Sequence, residues 1–125
     1  MISFVLEITP IPKGRPRKSK NGAVYTPDRT RKYEASIKAM AKKYFLEPLE
    51  GEIYISATYV FKNSDVWTHG KFAMVNADLD NLNKSLYDGL QGIAFKNDKQ
   101  ICREESCKVW GHENSIFVGI EEILQ

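Results

Sequence analysis

Apolar and polar positions alternate from the first residues onward, with Ile2, Phe4, Leu6 and Ile8 on one side. A period of two marks a half-buried strand, predicted here over residues 2–9. Pro10, Pro12 and Pro16 then interrupt regular structure, and Gly14 and Asn21-Gly22 carry turn chemistry. Residues 10–25 are therefore expected to form an extended loop. Thr26 and Pro27 read as a helix start, with a hydroxyl cap and a proline at the first helical position. That helix should reach Phe45, turning Tyr33, Ile37, Met40, Ala41 and Tyr44 inward, before Pro48 and Gly51 close it. Residues 52–62 alternate again, with Ile53, Ile55, Ala57, Tyr59 and Phe61 on one face.

Residues 63–76 show no period and carry Trp67, His69 and Lys71 toward the next element. There Leu79, Leu82, Leu86 and Leu90 recur at spacings of three and four, the period of one buried helical face. Asp80, Lys84 and Asp88 share the opposite side of that helix. Strands are predicted over 101–110 and 115–123, with Gly111-His112-Glu113-Asn114 having the composition of a hairpin turn. The order strand, helix, strand, helix, strand, strand predicts an α+β fold. It would be a single domain over 1–125, a mixed sheet of about four strands packed with two helices.

Composition narrows the class. At 125 residues, 42% hydrophobic and 27% charged, the chain has the make-up of one soluble globular domain. Its apolar runs fall well short of the ~18 residues a membrane span needs. The first residues show neither a basic leader nor a cleavage site, so no signal peptide is expected. Cys102 and Cys107 would lie on opposite faces of a strand and form no local bridge. A cytoplasmic protein with reduced thiols is the expectation.

The charge distribution changes the picture more. The net charge is +2, yet residues 13–32 carry eight basic side chains against the single acid Asp28, leaving the remainder near −5. The basic side chains are Lys13, Arg15, Arg17, Lys18, Lys20, Arg29, Arg31 and Lys32. A polyanion meeting one face would explain the segregation. A solvated loop without a partner is the plainer reading of charge alone.

Chemistry concentrates in residues 78–100. Asp78 sits where the chain enters the leucine helix, and Asp98 follows shortly after it ends. One helix and its two flanks can thus gather three carboxylates and a lysine. Each acid alone has an ordinary explanation as a cap, a turn residue or an Asp80–Lys84 ion pair. Together they place like charges side by side, which is costly without a nearby cation. A calcium loop counted from Asp78 would need glycine at its sixth position and glutamate at its twelfth, where Asn83 and Gly89 stand. His69 and His112 lie in different loops, and no cluster supports zinc or a cysteine nucleophile. Carboxylate-bound Mg²⁺ acting on a phosphodiester, with a lysine for the developing charge, remains.

Asp78-x-Asp80-Asn81-x-x-Lys84, then Asp88-Gly-Leu90, then Asn97-Asp98-x-Gln100-Ile101 resembles the core of the RusA-type Holliday-junction resolvases. Pro12-Lys13-Gly14-Arg15-Pro16-Arg17 and Tyr25-Thr26-Pro27-x-x-Thr30-x-x-Tyr33-Glu34 resemble the segments such proteins carry ahead of their first helix. The resemblance spans residues 2–118. It implies that Asp78, Asp80 and Asp98 bind Mg²⁺, with Mn²⁺ as a substitute, and that Lys84 is needed for cleavage. It also implies a homodimer that cuts opposed strands of four-way DNA junctions in recombination and repair, of a kind common in phages and prophages. Two positions depart from the pattern. Ala77 replaces a frequent proline, and Asn97 replaces a second acid, leaving Asp98 the only candidate ligand there.

The leading expectation is accordingly a Mg²⁺-dependent junction endonuclease. Lys13, Arg15, Arg17, Lys18, Lys20, Arg29 and Arg31 would contact phosphates, and Trp67 would stack on an unpaired base or pack in a core or dimer contact. A DNA-binding module with weakened catalysis, for which Asn97 argues, and a scaffold domain of capped helices and ion pairs are the alternatives.

Overall fold

The computed structural model describes residues 1–14, 17–25 and 27–125, apart from the side chains of Arg17 and Tyr25. Its framework is a four-stranded mixed sheet with two helices on one face, the predicted α+β order. The main strands are β1 (Ile2–Leu6), β4 (Ile53–Lys62), β5 (Ile101–Gly111) and β6 (Ser115–Glu122). They lie in the spatial order β1-β6-β4-β5. β6 runs antiparallel to both β1 and β4, while β4 and β5 are parallel. Parallel neighbours need a long crossover, and the helix α2 (Leu79–Leu90) lies on it.

The core follows from the two periods in the sequence. Ile53, Ile55, Ala57 and Tyr59 of β4 are buried, with Leu6, Ile116, Val118 and Ile120 beside them on the same face. Leu82, Leu86 and Leu90 of α2 are fully buried against this face, as are Ile37 and Ala41 of α1 (Asp28–Ala41). Leu79 and Phe61 are only partly buried, at the margins. Gly89 lets the helices approach closely, since a Cβ there would stand 2.9 Å from Cβ and Cγ2 of Ile37. No helix of the described residues is long and apolar enough to cross a membrane.

Several predicted boundaries need correction. The first strand stops at Leu6, and Ile8 is only half-buried. Within the expected loop 10–25, β2 (Arg17–Lys18) pairs antiparallel with β3 (Val24–Tyr25). Strands of two residues leave no period to detect. Pro27 occupies the cap of α1 rather than its first turn, and the expected Thr26 hydroxyl cap lies outside the described residues. The helix ends at Ala41 and gives way to a 3₁₀ turn, Lys42–Tyr44. Tyr44 is therefore not an inner-face residue; it is exposed and stacks on Phe4, ring centroids 4.8 Å apart. Met40 is partly buried.

Residues 111–114 do not make a hairpin between neighbouring strands. They carry the chain across the end of β4, which lies between β5 and β6. Asn114 Oδ1 accepts from the Lys62 amide at 2.8 Å, and the Gly111 carbonyl accepts from the Asn63 amide at 2.9 Å. Gly111 is needed because a Cβ would run into Val60. Residues 63–76, aperiodic in sequence, are pinned to the outer edge of β5. Amides of Gly70 and Ala73 donate to carbonyls of Trp110 and Lys108, each at 2.9 Å, and Phe72 forms a bridge with Val109.

Candidate active site

Three features of the chain converge on the start and outer face of α2. The first is the approach to Asp78. Lys108 of β5 reaches across to the carbonyls of Val75 and Ala77, at 3.3 and 2.9 Å, and so holds the segment that delivers Asp78. Asp78 takes the cap position of α2 with extended backbone, φ −74° and ψ 143°, but its side chain makes no capping bond. Asp80 lies in the first turn, and one of its oxygens accepts from the Asn81 amide at 3.0 Å. Both carboxylates are exposed. The capping role that could explain Asp78 away is thus not used.

The second feature is the turn that presents Asp98. Asn97 Oδ1 accepts from the Lys99 amide at 2.9 Å, while Gln100 Oε1 accepts from the amides of Lys96 and Asn97 at 2.9 and 3.0 Å. Gln100 Nε2 in turn donates to the carbonyls of Leu49 and Gly51, at 2.8 and 3.0 Å. The Asp98 amide donates to Gln91 Oε1 at 3.1 Å. This reciprocal capping box fixes the turn to the body of the domain. Asn97, the departure from an acidic pair, has a structural use here that an aspartate oxygen could also serve.

The third feature is a chain of alternating charges. Lys84 Nζ stands 3.2 Å from Asp98 Oδ2 and 3.2 Å from Asp88 Oδ1. On the other side of Asp88, its Oδ2 is 2.9 Å from Lys13 Nζ, which is 2.6 Å from Glu34 Oε1 on α1. The Asp80–Lys84 pair offered as the ordinary alternative is not the one formed; Lys84 pairs with Asp88, one turn further on. Hydrogen bonds to Asp98 and then Asp88 raise the Lys84 pKa above its ordinary 10.5, against the opposing effect of burial. For Lys13, burial pulls downward, but the bonds and charges of Glu34 and Asp88 prevail and raise it.

The candidate phosphate contacts divide. Lys18, Lys20 and Arg29 are exposed. Arg31 is exposed but paired with Asp28, and Lys13 is spent inside the charge chain. Arg15 and the Arg17 side chain lie outside the described residues. Trp67 is 83% exposed, which removes the core role considered for it. Sequence reasoning missed Glu34, Lys38 and Lys108. Lys38 Nζ donates to the carbonyls of Asp88, Gly89 and Gln91 at the end of α2, at 3.0, 3.1 and 2.6 Å. A cation at a helix C-terminus is favourable, but a lysine on another helix gives no local signal of it. Lys108 had one available clue: with Glu104 and Ser106 it forms a polar row at every second position of β5.

Hard-cation chemistry can be tested against these donors. Among the described residues, no three His, Cys, Asp or Glu side chains are grouped to hold a metal ion. Mg²⁺, however, often uses only one or two carboxylates and takes its other oxygens from water and substrate phosphate. Asp78 and Asp80, two residues apart, exposed and with a single side-chain hydrogen bond between the two of them among the described residues, suit that donor set.

A two-helix, mixed-sheet domain with acids at one helix start and an ion-paired lysine beside them is compatible with phosphodiester chemistry. The chain belongs to the endodeoxyribonuclease RusA family, whose model matches residues 7–121 and so takes in every candidate site residue. Membership supports nuclease activity in general and weighs against a plain scaffold domain. Curated proteins supply no match to set beside it.

Proposed function

We propose that this protein is a Mg²⁺-dependent endodeoxyribonuclease that cuts four-way DNA junctions, as a homodimer, in recombination and repair. The observation that carries the reading is the placement of Lys84. Its ammonium is held 3.2 Å from Asp98 on the face of the helix that begins with the exposed carboxylates of Asp78 and Asp80. Asp78 and Asp80 would hold the ion, with Mn²⁺ able to replace it; Asp98, the third ligand that the resemblance implies, is held on Lys84 and not grouped with them here. When bound, Mg²⁺ supplies positive charge at the scissile phosphate and lowers the pKa of coordinated water. Lys84 offsets negative charge growing on the phosphate oxygens. The exposed Lys18, Lys20 and Arg29, with Arg15 and Arg17, draw phosphate backbones toward the acidic helix without reading bases. Trp67 offers an exposed aromatic face to a base unpaired at the branch point.

Two opposed cuts in a four-way junction call for two sites, which a homodimer supplies. The test is incubation of the full chain with a labelled four-way junction, with Mg²⁺, with Mn²⁺ or with chelator. Paired, symmetrically placed nicks that require metal are expected. Absence of cleavage with either metal, at concentrations that saturate binding, would sink the reading.

A further inference from the structure

Lys13 opens the basic segment, yet its surroundings are unlike those of Lys18, Lys20 and Arg29, which are exposed. Its side chain is 23% exposed and lies between Glu34 of α1 and Asp88 of α2, themselves 19% and 20% exposed. Its amide donates to the Asn81 carbonyl in the first turn of α2, at 2.9 Å. Main chain and side chain of one residue thus grip both ends of the site-bearing helix. The two oxygens of Asp88 are divided, Oδ2 to Lys13 at 2.9 Å and Oδ1 to Lys84 at 3.2 Å. Lys84 is divided in the same way between Asp88 and Asp98.

We propose that Lys13 is a positioning residue, acting through Asp88 to set where the Lys84 ammonium stands relative to Asp98. The coupling is electrostatic. With Lys13 neutralising part of its charge, Asp88 is a weak enough partner that Lys84 also reaches Asp98. Without Lys13, the whole Asp88 carboxylate faces Lys84 across one helical turn. Lys84 then falls back onto its own helix and leaves Asp98. Lys13 on this account makes no phosphate contact, although it heads the basic run. The proposal deepens the nuclease reading and rests on it for the role of Lys84, but the pairing itself can be measured without catalysis.

The decisive variant is Lys13→Met, which keeps the aliphatic stem and removes the charge, with Lys13→Arg as the conservative control. Three quantities are read on the full chain. Single-turnover cleavage of saturating junction should fall about ten- to a hundred-fold in Lys13→Met, as for a reacting group displaced by about an ångström. The slope of log K against log salt for metal-free junction binding should not change, whereas loss of a phosphate contact lowers it by about 0.9. The Lys84 Cε–Hε NMR resonance should move in Lys13→Met and return in Lys13→Arg. Glu34→Gln, which loosens Lys13 from α1 while leaving Asp88 and Lys84 intact, should shift the same resonance in smaller measure and covers the case of a poorly folded Lys13→Met. An unmoved Lys84 resonance, or a salt slope reduced by about 0.9, overturns the proposal. Failure of the wild type to cleave overturns the nuclease reading instead, and the Lys84 resonance then decides the positioning role alone.

Discussion

The Lys108 ammonium donates to the carbonyl of Ala77 at 2.9 Å, and Ala77 immediately precedes Asp78. A strand on the far side of the crossover thus holds the first candidate ligand at its helix start. Hydrogen bonds from a charged donor are worth about 1.5–3 kcal/mol. Lys108→Met is expected to lower unfolding free energy by about that range and to raise the Mg²⁺ concentration needed for half-maximal cleavage. Denaturant melts and a metal titration check both. Unchanged values in both would leave residues 75–77 held by something else.

Gly89 tests the helix contact beneath the site. An alanine Cβ would press on Ile37 at 2.9 Å. Overpacking costs about 1–3 kcal/mol, and alanine's better helix propensity returns roughly 1 kcal/mol. Gly89→Ala should therefore destabilise by about 1 kcal/mol, and less so when combined with Ile37→Ala. Strict additivity in the double-mutant cycle would show that the two residues do not meet.

Lys84→Ala should lower the cleavage rate far more than junction affinity, as for a group acting on the transition state. Its pKa is raised above 10.5 by Asp98 and Asp88. A raised lysine pKa means the stability that its charge contributes is fully present from neutral pH up to the ordinary 10.5 and is lost as pH climbs through the raised value. The ratio of wild-type to Lys84→Ala rates should thus be constant from about pH 7 to pH 9. Convergence of the two rates within that window would show Lys84 losing its proton there.

Asp78→Asn separates metal binding from capping. The Asp78 side chain makes no capping bond, so stability should change by less than about 0.5 kcal/mol, asparagine being as good a cap as aspartate. Cleavage should collapse, while metal-free junction binding holds or tightens because one repelling carboxylate is gone. Wild-type cleavage by this variant would remove Asp78 from the ligand set.

For the arm, Lys18→Ala, Lys20→Ala and Arg29→Ala should each reduce the salt slope of junction binding by about 0.9. Arg31→Ala should reduce it less, since Asp28 already holds that guanidinium. Equal slopes in all four variants and the wild type would place the DNA elsewhere.

What the sequence disclosed was whatever a local period can encode. The alternation through Ile53, Ile55, Ala57 and Tyr59 and the leucine stripe of α2 each predicted a buried face that the structure has. Family motifs singled out Asp78, Asp80, Lys84 and Asp98. Lateral order escaped, because the composition of residues 111–114 cannot reveal that β4 lies between the strands they join. Ionic partners escaped for a related reason. Lys13 looks like its neighbours Lys18 and Lys20 until α1 and α2 bring Glu34 and Asp88 to it.

The position of β6 has a consequence for the order of events during synthesis. β6 fills the gap between β1 and β4, matching Ile2 with Ile120 and Ile55 with Ile120 from opposite sides. Until residues 115–122 have left the ribosome, β1 lacks the one partner strand it has among the described residues, and β4 has β5 alone. Closing such distant pairings is slow compared with helix formation. The core that buries the leucines of α2 is therefore incomplete until β6 emerges. Cleaving competence should arrive all at once with β6, and a nascent chain ending before β6 should have none.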